Sequence, residues 1–276
     1  MRKAPLLAPH LVVKEVSSPT NHLLKQIKLL HERKEREKTQ LFLLDGPKVL
    51  NEAIIKRVEI VDIAVSESFL ANGLPNLDQS LVKYLYVMPD KLFSGVGTTV
   101  TSSGIMGIAR MRRKEFSIAD CVSGVDPVVM VCDAIQDPGN LGTMMRSALA
   151  FGASGIILSK GNVDQYNPKV VRGAMGASFA LPIVNDLTMP EIIVQLHELN
   201  VATVLLDANA NQLISQIDLK RPLAMFFGNE GHGFSEETMK SIQHQIAIPM
   251  KQMSESLNVA TSASIVLYEC ARVRSL

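Results

Sequence analysis

Three short stretches hold most of the polar side chains that this 276-residue chain could use for chemistry. The first is DAIQDPGNLGTMMRSALAFG, Asp133 to Gly152. Asp-Pro-Gly-Asn is turn-forming, and Asn140 is a strong N-cap residue. The helix it opens should bury Leu141, Met144, Met145, Ala148 and Leu149 on one face. Arg146 lies beside that face. Helical side chains lean toward the N-terminus, so its guanidinium points back over Gly142 toward Asn140. A capped helix with a solvated arginine is the ordinary account. The convergence of loop, cap and guanidinium at one strand end shifts the reading toward an anion site.

The second stretch is FFGNEGHGFSEE, Phe226 to Glu237. Gly228, Gly231 and Gly233 permit backbone conformations closed to other residues. Ser235 should cap the helix that follows, with Glu236 and Glu237 in its first turn. Glu230, a carboxylate among glycines, has little packing role; plain surface exposure accounts for it about as well as function does. The third is IPMKQMSESLNVATSASIVLYE, Ile248 to Glu269. Here Ser256 should cap the last helix and Asn258 should sit in its first turn, a poor helix former with an amide to spare.

Several chemistries are excluded or weakly supported. The glycine spacing is not GxGxxG and no Walker lysine accompanies it, so a dinucleotide site or an NTPase is poorly supported. Cys121, Cys132 and Cys270 are far apart with no CxxC, and the six histidines do not join them at zinc spacing. No structural metal and a reducing compartment follow. His197-Glu198 starts like a zincin helix, but Asn200 and Val201 follow where the second His is needed. The net charge of +1 excludes a general polycation, though not local basic patches. A hydrophobic content of 47% marks a globular chain. No run is apolar enough to span a bilayer, and MRKAPLLAPHLVVKE does not read as a secretory signal. Cytoplasm is the expected compartment, with a mitochondrion or chloroplast left open.

The elements that must position these stretches are α/β in character. LFLLDG, IVDIAVSES, KYLYVM and IMGIARM read as strands, and PKVLNEAIIKRV as an amphipathic helix with Pro47 in its first turn. Residues 18–38 carry Leu23, Leu24, Ile27 and Leu30 at helical spacing. They also carry Lys25, Lys28, Arg33, Lys34, Arg36 and Lys38 with Glu32, Glu35 and Glu37 between. This helix is either a solvated, ion-paired face or one that meets phosphates. Residues 1–115 form a small α/β domain on this reading. RMRRKEFSIADCVSGVDP, residues 110–127, contains a linker, assigned to 116–127. From 128 to 276, VVMVCDAI, GIILSK, SFALPIV, ATVLLD, LAMFFG and QIAIPM alternate with helices at 141–151, 167–176, 189–199, 235–243 and 257–272. Continuous apolar strands alternating with helices predict a parallel sheet covered on both faces. Sites in such sheets lie in loops at the carboxyl ends of the strands.

Taken together, DPGNLGTMMRSALAFG, FFGNEGHGFS and IPMKQMSESLNVA resemble, in order and separation, the three signature motifs of the SpoU branch of the SPOUT methyltransferases. YNPKVVRGAMGASFALPI between them is similar to a further segment of that family. The resemblance covers roughly 128–276; residues 18–115 resemble more loosely the substrate-binding domain that precedes it in many members. Gln252 stands where a glycine is usual, and Ala260-Thr261-Ser262 replaces a more usual Ser-Val-Ala.

The resemblance implies a C-terminal parallel-sheet domain with a deep trefoil knot, a homodimer with the site at its interface, and S-adenosylmethionine as cofactor. It implies transfer of a methyl group to a ribose 2′-hydroxyl of RNA, ribosomal RNA ahead of transfer RNA. Arg146 would activate or orient the hydroxyl, framed by Asn140, Glu230, Ser256 and Asn258. Gly228, Ile248 and Leu257, with Leu206, Asn229 and Gly231, would hold the cofactor. RNA phosphates would meet Lys28, Arg33, Lys34, Arg112, Arg113 and Arg172, with Arg110 a further candidate. The rivals are an RNA-binding protein of the same fold without catalysis, and an α/β oxidoreductase. No metal and no membrane enter either reading.

Overall fold

The computed structural model describes residues 11–73, 84–97, 103–112, 115–251 and 256–274. The chain divides into two units: one runs to Arg113 and takes in Asp164–Phe179, and the other comprises Lys114–Val163 and Ala180–Leu276.

In the first unit, β1 (Val12–Glu15), β2 (Leu41–Asp45), β3 (Ile60–Ser66), β4 (Tyr84–Met88) and β5 (Ile105–Arg110) form one sheet in the order β1-β4-β3-β5-β2. β4 runs parallel to β1 and β3, whereas β5 is antiparallel to β3 and β2. The helices are α1 (His22–Leu29), α2 (Arg33–Thr39), α3 (Pro47–Ile55), α4 (Glu67–Ala71) and α5 (Asp90–Ser94). The period-two side-chain alternation of a strand builds a core on each face. Phe42 and Leu44 of β2 join Val49, Leu50 and Ala53 of α3. Leu41 and Leu43 join Leu23, Leu24 and Ile27 of α1 and Phe93 of α5.

The single helix expected over 18–38 is instead α1 and α2, with a break at Leu30–Glu32. Arg36 explains it. Its guanidinium turns inward and donates from Nη1 to the Leu30 and His31 carbonyls at 2.8 and 2.7 Å. Nε and Nη2 both donate to Asp164, at 2.8 and 2.6 Å. A residue read as part of a solvated or phosphate-facing stripe is therefore only 2% exposed. It satisfies carbonyls that the end of α1 would otherwise leave without partners.

The second unit contains α6 (Ile118–Cys121), β6 (Val128–Cys132), α7 (Pro138–Ala150) and β7 (Gly155–Ser159). α8 (Pro168–Ala174) and α9 (Ala177–Ala180) come next in the chain, and their Val171 and Phe179 lie in the core of the first unit. The second unit resumes with β8 (Ile183–Leu187), α10 (Met189–Glu198), β9 (Ala202–Leu206), β10 (Gln212–Leu213), β11 (Leu223–Phe227), α11 (Glu236–Ser241), β12 (His244–Ala247) and α12 (Val259–Arg274). Its seven strands are ordered β10-β12-β9-β11-β6-β7-β8 and every pairing is parallel. β6, β7 and β11 are buried at every position, as a sheet covered on both faces requires.

SFALPIV, expected as a strand, is helical at α9 and extended only from Ile183. Within the stretch expected as a linker, α6 is a capped helix with Ser117 accepting from the Asp120 amide. Its Ile118 and Cys121 are core residues. A Cβ on Gly155 would lie 2.5 Å from the Cβ of Cys121, so β7 starts against α6 at a distance only glycine allows. Burial pushes the thiol of Cys121 up to about 12 and that of Cys270 up to about 11. These cysteines are packing residues rather than nucleophiles.

The Arg36 guanidinium is buried against an Asp164 side chain that is only 14% exposed. Removing one partner leaves a carboxylate and two carbonyls without their donors. Arg36→Ala is expected to cost about 3–5 kcal/mol, read as a fall in the urea midpoint; an unchanged midpoint would refute the assignment.

Candidate functional site

The carboxyl ends of the parallel strands bring the three polar stretches together. After β6 the chain turns through Asp133–Gln136 into α7. Asp137, not Asn140, caps that helix, accepting from the Asn140 amide at 2.7 Å. Pro138 takes the first helical position, where its missing N–H costs nothing. This corrects the expected cap, and the change matters: the Asn140 side chain is left for long-range contacts.

Asn140 uses both ends of its amide. Nδ2 donates to Oε1 of Glu230 at 2.9 Å, and Oδ1 accepts from Nδ2 of Asn258 at 3.0 Å. The Gln136 amide approaches the other Glu230 oxygen at 3.5 Å. Asn258 accepts at Oδ1 from the amides of Ala260 and Thr261, at 2.9 and 3.3 Å. Asn258 is thus the residue that caps α12, which begins at Val259, and Ser256 lies before the helix. The expectation made Ser256 the cap and set Asn258 inside the first turn, so the helix starts later than expected.

The glycine loop after β11 is braced from within. Asn229 donates to the Ala134 carbonyl at 2.8 Å and accepts from the amides of Gly231 and His232 at 2.9 and 3.1 Å. A Cβ on Gly228 would lie 2.8 Å from the Phe234 ring and 3.0 Å from the Gly233 backbone. The loop folds back on itself there at a separation that excludes any side chain.

Beside this framework opens a cavity of about 560 Å³. Leu206, Gly228, Asn229, Ile248 and Leu257, five of the six residues expected to hold a cofactor, line it. Gly231 does not; its amide is engaged with Asn229 instead. Glu230, Ser256 and Asn258 line it too. Asn140 reaches it through its two partners. Arg146 is exposed on α7 and, among the described residues, has no hydrogen-bonding or ionic partner. Leu149, expected in the buried face, is 37% exposed on the same side of α7, one turn beyond Arg146.

The residues expected to meet RNA belong to the first unit. Lys28, Lys34 and Arg172 are exposed. Arg33 is exposed and paired with Glu37 at 2.6 Å. Arg110 pairs with Glu59 at 2.9 Å, and Arg112 donates to the Phe179 carbonyl at 2.6 Å. Arg113 lies outside the described residues, as does Gln252. Among the described residues, no group of His, Cys, Asp and Glu could hold a metal ion, and no helix is long and apolar enough to cross a membrane.

Sequence reasoning missed the polar residues beneath the loop. Asn162 is buried; its Oδ1 accepts from the Ile135 amide at 2.9 Å, and its Nδ2 donates to the carbonyls of Cys132 and Ser159 at 2.9 and 2.8 Å. The Ser159 hydroxyl donates to Asp133 at 2.7 Å. Gly161-Asn162 after a strand looks like ordinary turn chemistry, and nothing local marks that asparagine as buried. Asp207 and Asn209, which also line the cavity, likewise follow β9 without a motif to flag them. Under the loop, burial pushes the Cys132 thiol up, and the nearby carboxylates of Asp133 and Glu230 add to the shift.

Comparison with known proteins bears on this arrangement. The profile of the SpoU rRNA Methylase family matches residues 127–268, and that of an MRM3-like substrate binding domain matches residues 21–107. A 23S rRNA (guanosine(2553)-2′-O)-methyltransferase of Bacillus subtilis is 30% identical, over 93% of this chain and 98% of its own length. The crystal structure of an RNA 2′-O ribose methyltransferase aligns with a TM-score of 0.82 at 28% identity, covering 95% of this chain and all of that one. An AdoMet-bound rRNA methyltransferase from Sinorhizobium meliloti aligns with a TM-score of 0.81 at 28% identity, over 96% of this chain and 99% of that one.

Asn162 satisfies three backbone groups that hold the turn before α7. Asn162→Ala is expected to destabilise the protein by about 2 kcal/mol and to speed amide hydrogen exchange at Ile135. Unchanged exchange there would show that the turn does not depend on it.

Proposed function

The chain belongs to the SpoU rRNA methylase family, and on that premise we propose that it transfers a methyl group from S-adenosylmethionine to a ribose 2′-hydroxyl of ribosomal RNA. The observation that carries this reading is the Asn258–Asn140–Glu230 chain of hydrogen bonds, which joins three loops at the mouth of a cavity sized for a cofactor. The cavity volume lies within the usual range for small-molecule sites. Leu206, Phe227, Ile248 and Leu257 supply apolar walls for an adenine, and Asp207 and Asn209 supply polar partners for a ribose. Gly228 lines the cavity as bare backbone, backed by Phe234. When bound, the cofactor supplies an electrophilic methyl group.

The residues of the chain then have to present the hydroxyl in line with that methyl group, and positioning is the larger part of such catalysis. Asn140, held at both ends, fixes the direction of the Glu230 carboxylate. Arg146 stands on the same helix, six residues after Asn140, with its guanidinium in solvent. Arginine offers five N–H donors and no acceptor. We therefore assign it to holding the 2′-oxygen and the adjoining phosphate as charge develops. Ser256 and Asn258 close the other side.

In this reading the first unit engages the RNA, with Lys28, Arg33, Lys34, Arg112 and Arg172 as phosphate contacts, and Arg113 beside them in sequence. The catalytic domain is drawn from 128–276, of which Asp164–Phe179 packs with the first unit, with residues 116–127 leading into it, and it carries the trefoil knot that the family resemblance implies. The protein acts as a homodimer in the cytoplasm. Leu149, Ile265 and Tyr268 support the dimer: they leave apolar surface on α7 and α12, 37%, 37% and 46% exposed. Tyr268 also stacks edge-on against Phe151, with ring centroids 5.7 Å apart.

Arg146→Ala is expected to lower the rate of methyl transfer about a hundredfold or more, with Arg146→Lys recovering part of the loss. The assay measures methyl incorporation into ribosomal RNA from cells lacking the protein. Transfer by Arg146→Ala at the wild-type rate would refute the role. RNA binding without transfer by the wild type would favour the non-catalytic reading. Charge introduced by Ile265→Glu with Tyr268→Glu is expected to give monomers in light scattering and to abolish transfer; an unchanged mass would overturn the dimer face.

A further inference from the structure

A second, smaller cavity of about 200 Å³ lies wholly within the first unit. Its apolar side is formed by Phe42, Met111, Tyr166 and Phe179. Phe42 lies 4.9 Å from the Tyr166 ring and 6.0 Å from the Phe179 ring, tilted to both. Its lining also carries Lys56, Arg57, Arg110 and Arg112 against one carboxylate, Glu59. Ser178 also lines it; the residue is only 8% exposed and its hydroxyl has no hydrogen-bonding partner. Among the described residues, only one other buried side-chain polar atom, Arg221 Nε, is in that state. Native proteins rarely leave such atoms unsatisfied; this one is closed off in the free protein, in a residue that lines a cavity, one side-chain rotation from it.

The surrounding geometry is already fixed. Arg112 donates through its backbone amide to the Tyr166 hydroxyl at 3.3 Å and through its guanidinium to the Phe179 carbonyl at 2.6 Å. Arg110 is held by Glu59 at 2.9 Å. Arg57 adopts left-handed backbone, φ +55°, with its amide bonded to the Ile54 carbonyl at 2.9 Å. Lys56 and Arg57 are exposed at the rim. A cation rim above an aromatic wall, with a buried hydroxyl inside, matches how unpaired nucleotides are held: phosphate in the charged groove, heterocycle against rings, base edge on a polar group. The volume falls below that of most drug-sized sites and suits a single heterocycle.

We propose that this cavity seats one extruded nucleotide of the RNA strand, with its phosphate at Lys56 and Arg57 and its base edge on the Ser178 hydroxyl. The inference rests on RNA being the substrate. It adds a contact far in sequence from the signature motifs, and it makes the first unit a reader of strand conformation as well as a charged surface. A free nucleoside monophosphate carries the same chemistry, so the test separates the two sources.

Binding of a short unstructured oligoribonucleotide and of nucleoside 5′-monophosphates to the full-length protein is measured across salt concentrations. Lys56→Glu with Arg57→Glu is expected to weaken oligonucleotide binding at least tenfold and to lower the salt slope by about one, while Lys91→Glu on α5 leaves both unchanged. Ser178→Ala is expected to weaken binding about fivefold with no change in salt slope. It should also raise the unfolding midpoint of the free protein by a few degrees, about 2–4 °C, because an unsatisfied buried hydroxyl is removed. A purely structural serine would lower that midpoint and leave binding alone, and this result would overturn the proposal. So would wild-type affinity for the oligonucleotide in both variants. If the wild-type protein methylates ribosomal RNA while the variants bind and methylate it equally well, the pocket inference fails and the enzymatic reading stands. Loss of mononucleotide binding with undiminished oligonucleotide binding overturns the strand assignment in favour of a free nucleotide.

Discussion

The site depends on a single side-chain amide. Asn140 donates at one end to Glu230 and accepts at the other from Asn258, residues 90 and 118 positions away in sequence. An amide is suited to this because it is donor and acceptor at once and carries no net charge. An aspartate in its place would set two carboxylates against each other, and a lysine would have nothing to offer Asn258. The loops after β6 and β11 are also joined by the bond from Asn229 to the Ala134 carbonyl, and the Asn140–Asn258 bond brings in the turn before α12. Through Asn140 they acquire one common geometry. That is possible because all seven strands of the second sheet run in the same direction and deliver their loops to one edge.

The loops are rigid for reasons that lie below them. Asn162 holds the carbonyl of Cys132 and the amide of Ile135, so the chain leaving β6 is fixed before α7 begins. Asn229 ties the glycine loop to the carbonyl of Ala134, which is itself in left-handed backbone, φ +51°. These are buried or half-buried amides whose partners are main-chain groups. They leave the exposed side chains, Glu230 and Arg146, free to face a ligand.

Some of this architecture is legible in the amino-acid sequence and the rest is not, for identifiable physical reasons. Most strands were legible because runs such as VVMVC and LAMFF are too short and too continuously apolar to be anything else in that setting; β1, exposed at every position, and the two-residue β10 carry no such run. The polar stretches were legible because they sit at strand ends in a parallel arrangement. The roles of Asn140 and Asp137 at the start of α7 were misread because both are good caps, and which one caps is decided by where Pro138 falls in the helix. Arg36 was misread because its partner, Asp164, is 128 residues away. No local pattern distinguishes a buried arginine from its solvated neighbours. Ser178 was invisible for the same reason: its significance lies in what fails to approach it.

The return of Asp164–Phe179 to the first unit has a consequence for how the protein is made. That unit does not hold all its core residues when its own first stretch leaves the ribosome, since Val171 and Phe179 arrive only after β6, α7 and β7 have been synthesised. At typical elongation rates the nascent chain waits on the order of 3–13 s between completing Arg113 and completing Phe179. During that interval β2 presents Phe42 and Leu44 with part of their covering absent, and Arg36 has no counter-ion. The core of the N-terminal unit is thus complete only once a segment whose neighbours in sequence belong to the other unit has been translated.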